Sequence, residues 1–172
     1  MKQTVVLLTV LTAGLMACAD QQPTVEVKAV DYQVADQASL ENRLQARNAQ
    51  FSEDFTAFKK AHSQAFSTQK PVTEDDLKKL HMHAVGATAL KPTKEAYCSM
   101  MNGYFSDIYR LGHFNLAYIE NVAVLNGAGE DAQENFANPE AFYNLVMERA
   151  TTYRQAQQLM GYGCNLKAAL QF

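Results

Sequence analysis

The stretch KEAYCSMMNGYFSDIYRLGHFNLAYIENVAVL, residues 94–125, decides how this chain folds. Tyr97, Met101, Tyr104, Ile108, Leu111, Tyr118, Val122 and Leu125 follow the three-four spacing that lines one face of an α-helix. Phe105, Leu116 and Ile119 widen the stripe. An apolar face this broad must be covered from more than one side, so the pattern predicts a long central helix over about residues 94–125. Gly127-Ala128-Gly129 ends it, because glycine takes the left-handed conformation at a helix C-terminus without a Cβ penalty.

Working outward, Asn138-Pro139 reads as the N-cap and first residue of a following helix. Its inner face is Phe142, Val146, Tyr153, Ala156 and Met160, and Gly161 and Gly163 close it. The acidic run Glu130 to Ala137 between these helices reads as a solvated connection, since it lacks the alternating ligands of an EF-hand. Upstream, Leu40, Leu44, Phe51, Phe55, Phe58 and Ala65 predict a helix from Gln37 to about Ser67, stopped before Lys70-Pro71. Thr73-Glu74-Asp75-Asp76 supplies an N-cap and acidic first turn for another, with Leu77, Leu80, Ala84 and Val85 inward and Pro92 beyond its end. A last short helix falls at residues 165–171. Four amphipathic helices on short connections predict an all-α fold, an antiparallel up-down four-helix bundle with a short C-terminal helix.

The chain begins MKQTVVLLTVLTAGLMAC. One lysine, an apolar run from Val5 to Met16 and small Ala17 describe a secretory signal peptide. The run is 12 residues long, well short of the roughly 20 that span a bilayer. Leu15-Met16-Ala17-Cys18 resembles the lipobox of bacterial lipoproteins, which are cut before a cysteine that carries lipid. The resemblance covers residues 1–18 only. It implies removal of residues 1–17, acylation of Cys18, and stable anchoring by several acyl chains on one residue. In that family a residue other than Asp after the cysteine, here Ala19, implies passage to the outer membrane, with the domain facing the periplasm. Residues 19–36, with Pro23 and no helical period, read as a flexible tether with a reach of roughly 20–25 Å. Residues 37–172 are then the folded domain.

With Cys18 set aside, Cys98 and Cys164 remain, and export to an oxidising compartment makes their pairing the expectation. Two buried free thiols and a partial metal site are the competing readings. Cys98 lies in the first turn of the central helix and Cys164 just past the next one, ends that meet in an antiparallel hairpin. The expected disulfide staples a bundle and closes a 66-residue separation, worth about 4 kcal/mol in the chain-entropy model.

The full chain has a net charge of −3, and −4 once Lys2 leaves with the leader, so it has no basic footprint for nucleic acid. No GxSxG, HExxH, Walker or GxGxxG pattern is present. His81 and His83, two apart on a helix, point about 200° apart and cannot share an ion. His62 sits on the apolar stripe of the first helix, as does Arg47, and with His113 it is a weak candidate ligand for a haem or metal. The reading preferred to a ligand is a hydrogen-bonded core histidine. Arg149 interrupts the apolar stripe of the last long helix. With Cys98–Cys164 as a ruler it lies opposite His113, near Asn115 and Tyr118, a possible anion-binding or partner-binding pocket. The alternative is an arginine whose stem covers core while its head reaches water.

Together these readings predict a non-enzymatic, membrane-anchored envelope lipoprotein whose helical domain binds another protein, as an assembly accessory or an immunity or inhibitor protein. No cofactor is implied. The alternative is a periplasmic four-helix bundle holding haem, a metal or a small ligand.

Overall fold

The computed structural model describes residues 27–62, 91–122, 132–149, 153–154, 157 and 162–171. Helix α1, Gln37–Ala61, opens on Asp36, whose carboxylate accepts the Ser39 N–H at 2.7 Å. It buries Leu40, Leu44 and Phe58. Helix α2, Lys91–His113, carries Pro92 in its first turn, where a missing N–H leaves no bond unmade. Tyr97, Met101, Ile108 and Leu111 are buried as their spacing requires.

Helices α1 and α2 run antiparallel. His62 meets Thr93, the Phe58 ring lies 5.9 Å from Tyr97, Phe51 stacks at 4.3 Å on Tyr104, and Arg47 pairs with Asp107. As residue numbers rise along α1 they fall along α2.

The central helix is shorter than its periodicity predicts. α2 ends at His113, and residues 116–121 form a 3-10 segment, Leu116–Asn121. Asn115 causes the break. Its own N–H goes to the Gly112 carbonyl, three residues back, at 3.1 Å. Its side-chain amide takes the Leu111 carbonyl at 2.7 Å, the acceptor that a continuing α-helix would give to the backbone N–H of residue 115. The chain then turns, and Ile119 and Val122 still reach the core.

The acidic run is also not a simple solvated connection. Helix α3, Ala132–Ala137, buries Ala132 and Phe136. Phe136 is wholly buried and lies against Gly112, where an added Cβ would stand 2.0 Å from its Cδ1. Helix α4, Pro139–Arg149, begins where expected, with Asn138 Oδ1 accepting the Glu140 N–H at 2.9 Å. Phe142 and Val146 face the core. Helix α5, Leu166–Ala169, ends the described chain, seated by Leu166 and Leu170 and by Ser106 Oγ donating to the Ala169 carbonyl at 2.8 Å.

Cys98 and Cys164 form a disulfide with a Cα–Cα separation of 4.9 Å, both sulfurs' residues buried. Asn102 reinforces the joint: its amide donates to the Cys164 carbonyl and its carbonyl accepts the Tyr153 hydroxyl at 2.7 Å. The fold of the described residues is all-helical, without a strand among them. The helix predicted over residues 73–86 lies outside the described residues. No helix among the described residues is long and apolar enough to cross a membrane.

Candidate functional site

The expected tether is part of the fold from residue 27 onward. Residues 27–36 lie as a strap across the ends of α1 and α2, with a 3-10 turn at Ala29–Asp31. Main-chain hydrogen bonds hold it. Asn115, 5% exposed, accepts the Val34 N–H on Oδ1 at 2.9 Å and donates from Nδ2 to the Tyr32 carbonyl at 3.0 Å. Arg43 donates to the carbonyls of Tyr32 and Asp31 at 3.1 and 2.7 Å. The Tyr118 hydroxyl donates to the Ala35 carbonyl at 3.0 Å. Asn115 is thus both the stop of α2 and the main clamp on the strap.

One strap side chain is held as well. Tyr32 lies under Arg110, whose Cζ is 5.8 Å from the ring centroid, and 6.0 Å from the Phe114 ring. Its hydroxyl is 3.4 Å from both Asp107 Oδ1 and Arg110 Nη1. Asp107 is shared: its Oδ2 accepts from Arg47 Nε at 2.8 Å, and Arg47 also lies 3.5 Å from Asp54 and 5.5 Å from the Tyr104 centroid. Arg47 and Asp107 are partly shielded, so their charge-assisted bond is stronger than one in open solvent. Burial pushes the Tyr104 hydroxyl above its ordinary range, and the Arg47 charge opposes that shift. A cleft of about 480 Å³ lies between strap, α1 and α2, lined by Asp31, Tyr32, Arg43, Arg47, Gln50 and Asp107. Two guanidinium groups face two carboxylates across it. The arrangement is built to hold polar main chain and mixed charge, and its carboxylate at Asp107 is taken up by Arg47 and Tyr32.

The pocket expected around Arg149 divides. His113, Asn115 and Tyr118 do gather at the end of α2, but Arg149 is exposed on the last turn of α4. His113 Nδ1 instead faces the Phe136 carbonyl at 2.9 Å, thirteen residues earlier than the disulfide ruler places its neighbour. The ruler assumes that one helix faces α2 along its whole length, whereas the unexpected helix α3 covers this end of α2, with Phe136 against Gly112.

His62 caps α1 and lies with Nδ1 3.1 Å from Thr93 Oγ1. Thr93 and His113 sit twenty residues apart on α2, about 30 Å at the helical rise, so His62 and His113 cannot share one haem or metal. Among the described residues no group of three or more His, Cys, Asp or Glu could hold a metal ion. Cys18, His81 and His83 lie outside the described residues. The sequence pattern leaves Tyr32 and Arg43 unmarked. The available signals were an aromatic residue in a polar tether and an arginine four residues before Arg47 on one helix face.

No known protein family, no curated protein and no solved structure matches this chain.

Proposed function

We propose that the protein is a bacterial envelope lipoprotein, anchored in the outer membrane through lipidated Cys18 and facing the periplasm, that acts by binding another protein and not by catalysis. The observation that carries this reading is the Cys98–Cys164 disulfide. Disulfides persist in oxidising compartments, and the pair agrees with an exported chain whose third cysteine follows a leader. The architecture proposed with it is an antiparallel four-helix bundle, in which residues 73–86 supply a helix beside α1, α2 and the segment begun by α4. Binding is favoured over chemistry because the polar groups of the strap seat are directed at main chain and at one another.

Two experiments test the reading. Cys18→Ala should release the protein from membranes and abolish incorporation of labelled palmitate; a variant that stays membrane-bound refutes the anchor. The lipidated protein, purified from solubilised envelopes, should bring down a stoichiometric protein identified by mass spectrometry. Recovery of only a stoichiometric small molecule refutes the binding reading.

A further inference from the structure

The contacts to the strap are of a kind that does not depend on the strap's own sequence. Asn115 brackets Gln33, taking the N–H after it and giving to the carbonyl before it. Arg43 and Tyr118 add three more bonds to main-chain carbonyls. The held segment is a 3-10 turn, Ala29–Asp31, that runs out through Tyr32, and any polypeptide that turns in the same way offers the same carbonyls and N–H, while the side-chain pocket supplies selectivity. The pocket here is the space between Arg110, Phe114 and Asp107, which takes an aromatic ring with a hydroxyl at its tip.

We infer that the seat of residues 31–35 is a groove for a short turned segment of a partner protein bearing an aromatic residue, and that this chain's own strap fills it as an intramolecular stand-in. The inference rests on the proposed protein-binding function and names how the partner is read.

Three observations favour an exchangeable strap. No residue from 27 to 36 is fully buried, and only Tyr32 and Val34 pack against the core, so polar contacts carry most of the hold and the apolar surface opposing release is confined to two side chains. Arg110, which meets the strap through Tyr32, has a buried Nε without a hydrogen-bond partner among the described residues, a donor that the seated strap leaves unmet. The central clamp of the groove is also held without the strap, because Asn115 donates to the Leu111 carbonyl.

The test uses a fluorescent peptide of residues 28–36, KAVDYQVAD, and anisotropy titration against the full chain. Tyr32→Ala with Val34→Pro loosens the resident strap by removing the ring and the N–H that Asn115 accepts. The peptide should bind this variant saturably and at least tenfold more tightly than it binds the wild type, where a tethered competitor acts at millimolar effective concentration. Adding Asn115→Ala should abolish binding. A loosened variant that keeps its helical signal but binds no peptide overturns the groove, as does binding indifferent to Asn115→Ala. Hydrogen exchange on the unaltered chain is a second measurement: the Val34 amide should exchange at least a hundredfold faster than that of Ile108. Exchange of both at one rate overturns the proposal. A chain that binds the peptide but brings down no envelope protein refutes the proposed function alone. One that captures a protein but no peptide refutes the groove alone.

Discussion

Gly112→Ala should destabilise this protein, against the ordinary behaviour of a helical glycine. Replacing glycine by alanine inside a helix usually stabilises by about 1 kcal/mol, because alanine loses less backbone entropy on folding. At position 112 the new Cβ would stand 2.0, 2.3 and 2.7 Å from Cδ1, Cε1 and Cγ of Phe136. Carbon atoms pack at about 3.5–4.0 Å, so the ring must retreat by about 1.5 Å. It has nowhere open to go. Phe136 is wholly buried, its ring lies 5.1 Å from that of Phe142, and Phe142 lies 5.0 Å from Tyr109, itself wholly buried. Retreat also stretches the 2.9 Å contact between the Phe136 carbonyl and His113. Overpacking of this kind costs about 1–3 kcal/mol, and three short contacts place it at the upper end. Subtracting the helical gain leaves a net loss of about 1–2 kcal/mol, or roughly 2–8 °C in Tm for a chain of this size. Urea unfolding followed by circular dichroism, with the disulfide intact, reads the change as a lower midpoint at constant slope. The double-mutant cycle is the sharper assay. In a Phe136→Ala background the clash is gone, so Gly112→Ala should become neutral or stabilising, giving a coupling energy of about 2–3 kcal/mol. Stabilisation by Gly112→Ala in the unaltered chain would refute the docking of α3 on α2.

Replacing Cys98 and Cys164 together by Ser should cost about 4 kcal/mol in the chain-entropy model, read as a large fall in urea midpoint that reducing agent reproduces in the wild type only. The protein should lose stability in alkali. Burial raises the hydroxyls of Tyr97, Tyr104, Tyr109 and Tyr153 above the ordinary value of 10.0, so their contribution is complete below that pH and is lost as pH rises beyond it. Tyrosinate absorbance should therefore rise together with unfolding; a smooth, independent ionisation of all tyrosines would contradict their burial. Asn115→Ala should accelerate Val34 amide exchange more than tenfold, since it removes the acceptor of that N–H. Its urea midpoint should fall by less than that of the disulfide variant, because the strap carries little apolar burial.

The extent to which this fold could be read from the sequence depends on which interactions leave a periodic trace. The faces of α1, α2 and α4 were legible because Leu40, Leu44, Tyr97, Ile108, Phe142 and Val146 are buried by the spacing that advertises them. The end of α2 was misread because Leu116, Ile119 and Val122 keep an apolar rhythm past it. Their spacing is three throughout, which is the 3-10 period and not the mixed three-four period of an α-helix. Phe136 was hidden for a different reason. A lone aromatic residue among acids carries no period, and its socket is a glycine 24 positions earlier in the chain. The strap left no trace beyond one aromatic residue, Tyr32, because bonds to main-chain carbonyls and N–H groups do not constrain the residue types that make up the strap. Of the pocket expected around Arg149, Asn115 and Tyr118 do hold a polypeptide segment, and it is the chain's own.

The strap also changes what anchoring would mean. On the proposed lipidation, Cys18 and Val27 are nine residues apart, a span of at most about 30 Å even if fully extended. With the strap seated, the helical domain must therefore stay within about that distance of the bilayer surface. Freeing residues 27–36 adds ten residues and roughly doubles the limit. The two states differ in reach and in whether Asn115, Arg43 and Arg110 are open, so each is coupled to the other. A partner segment that takes the groove lengthens the tether, and a partner too distant for the short tether is met only by a chain whose groove is already vacant. That coupling is reciprocal by thermodynamic necessity. Tethering the domain close to a supported bilayer should weaken binding of the free strap peptide relative to the soluble Cys18→Ala chain, by the same factor as bound peptide disfavours the domain's residence at that height. Equal peptide affinity in the two settings would leave the strap a groove ligand but uncouple it from the anchor.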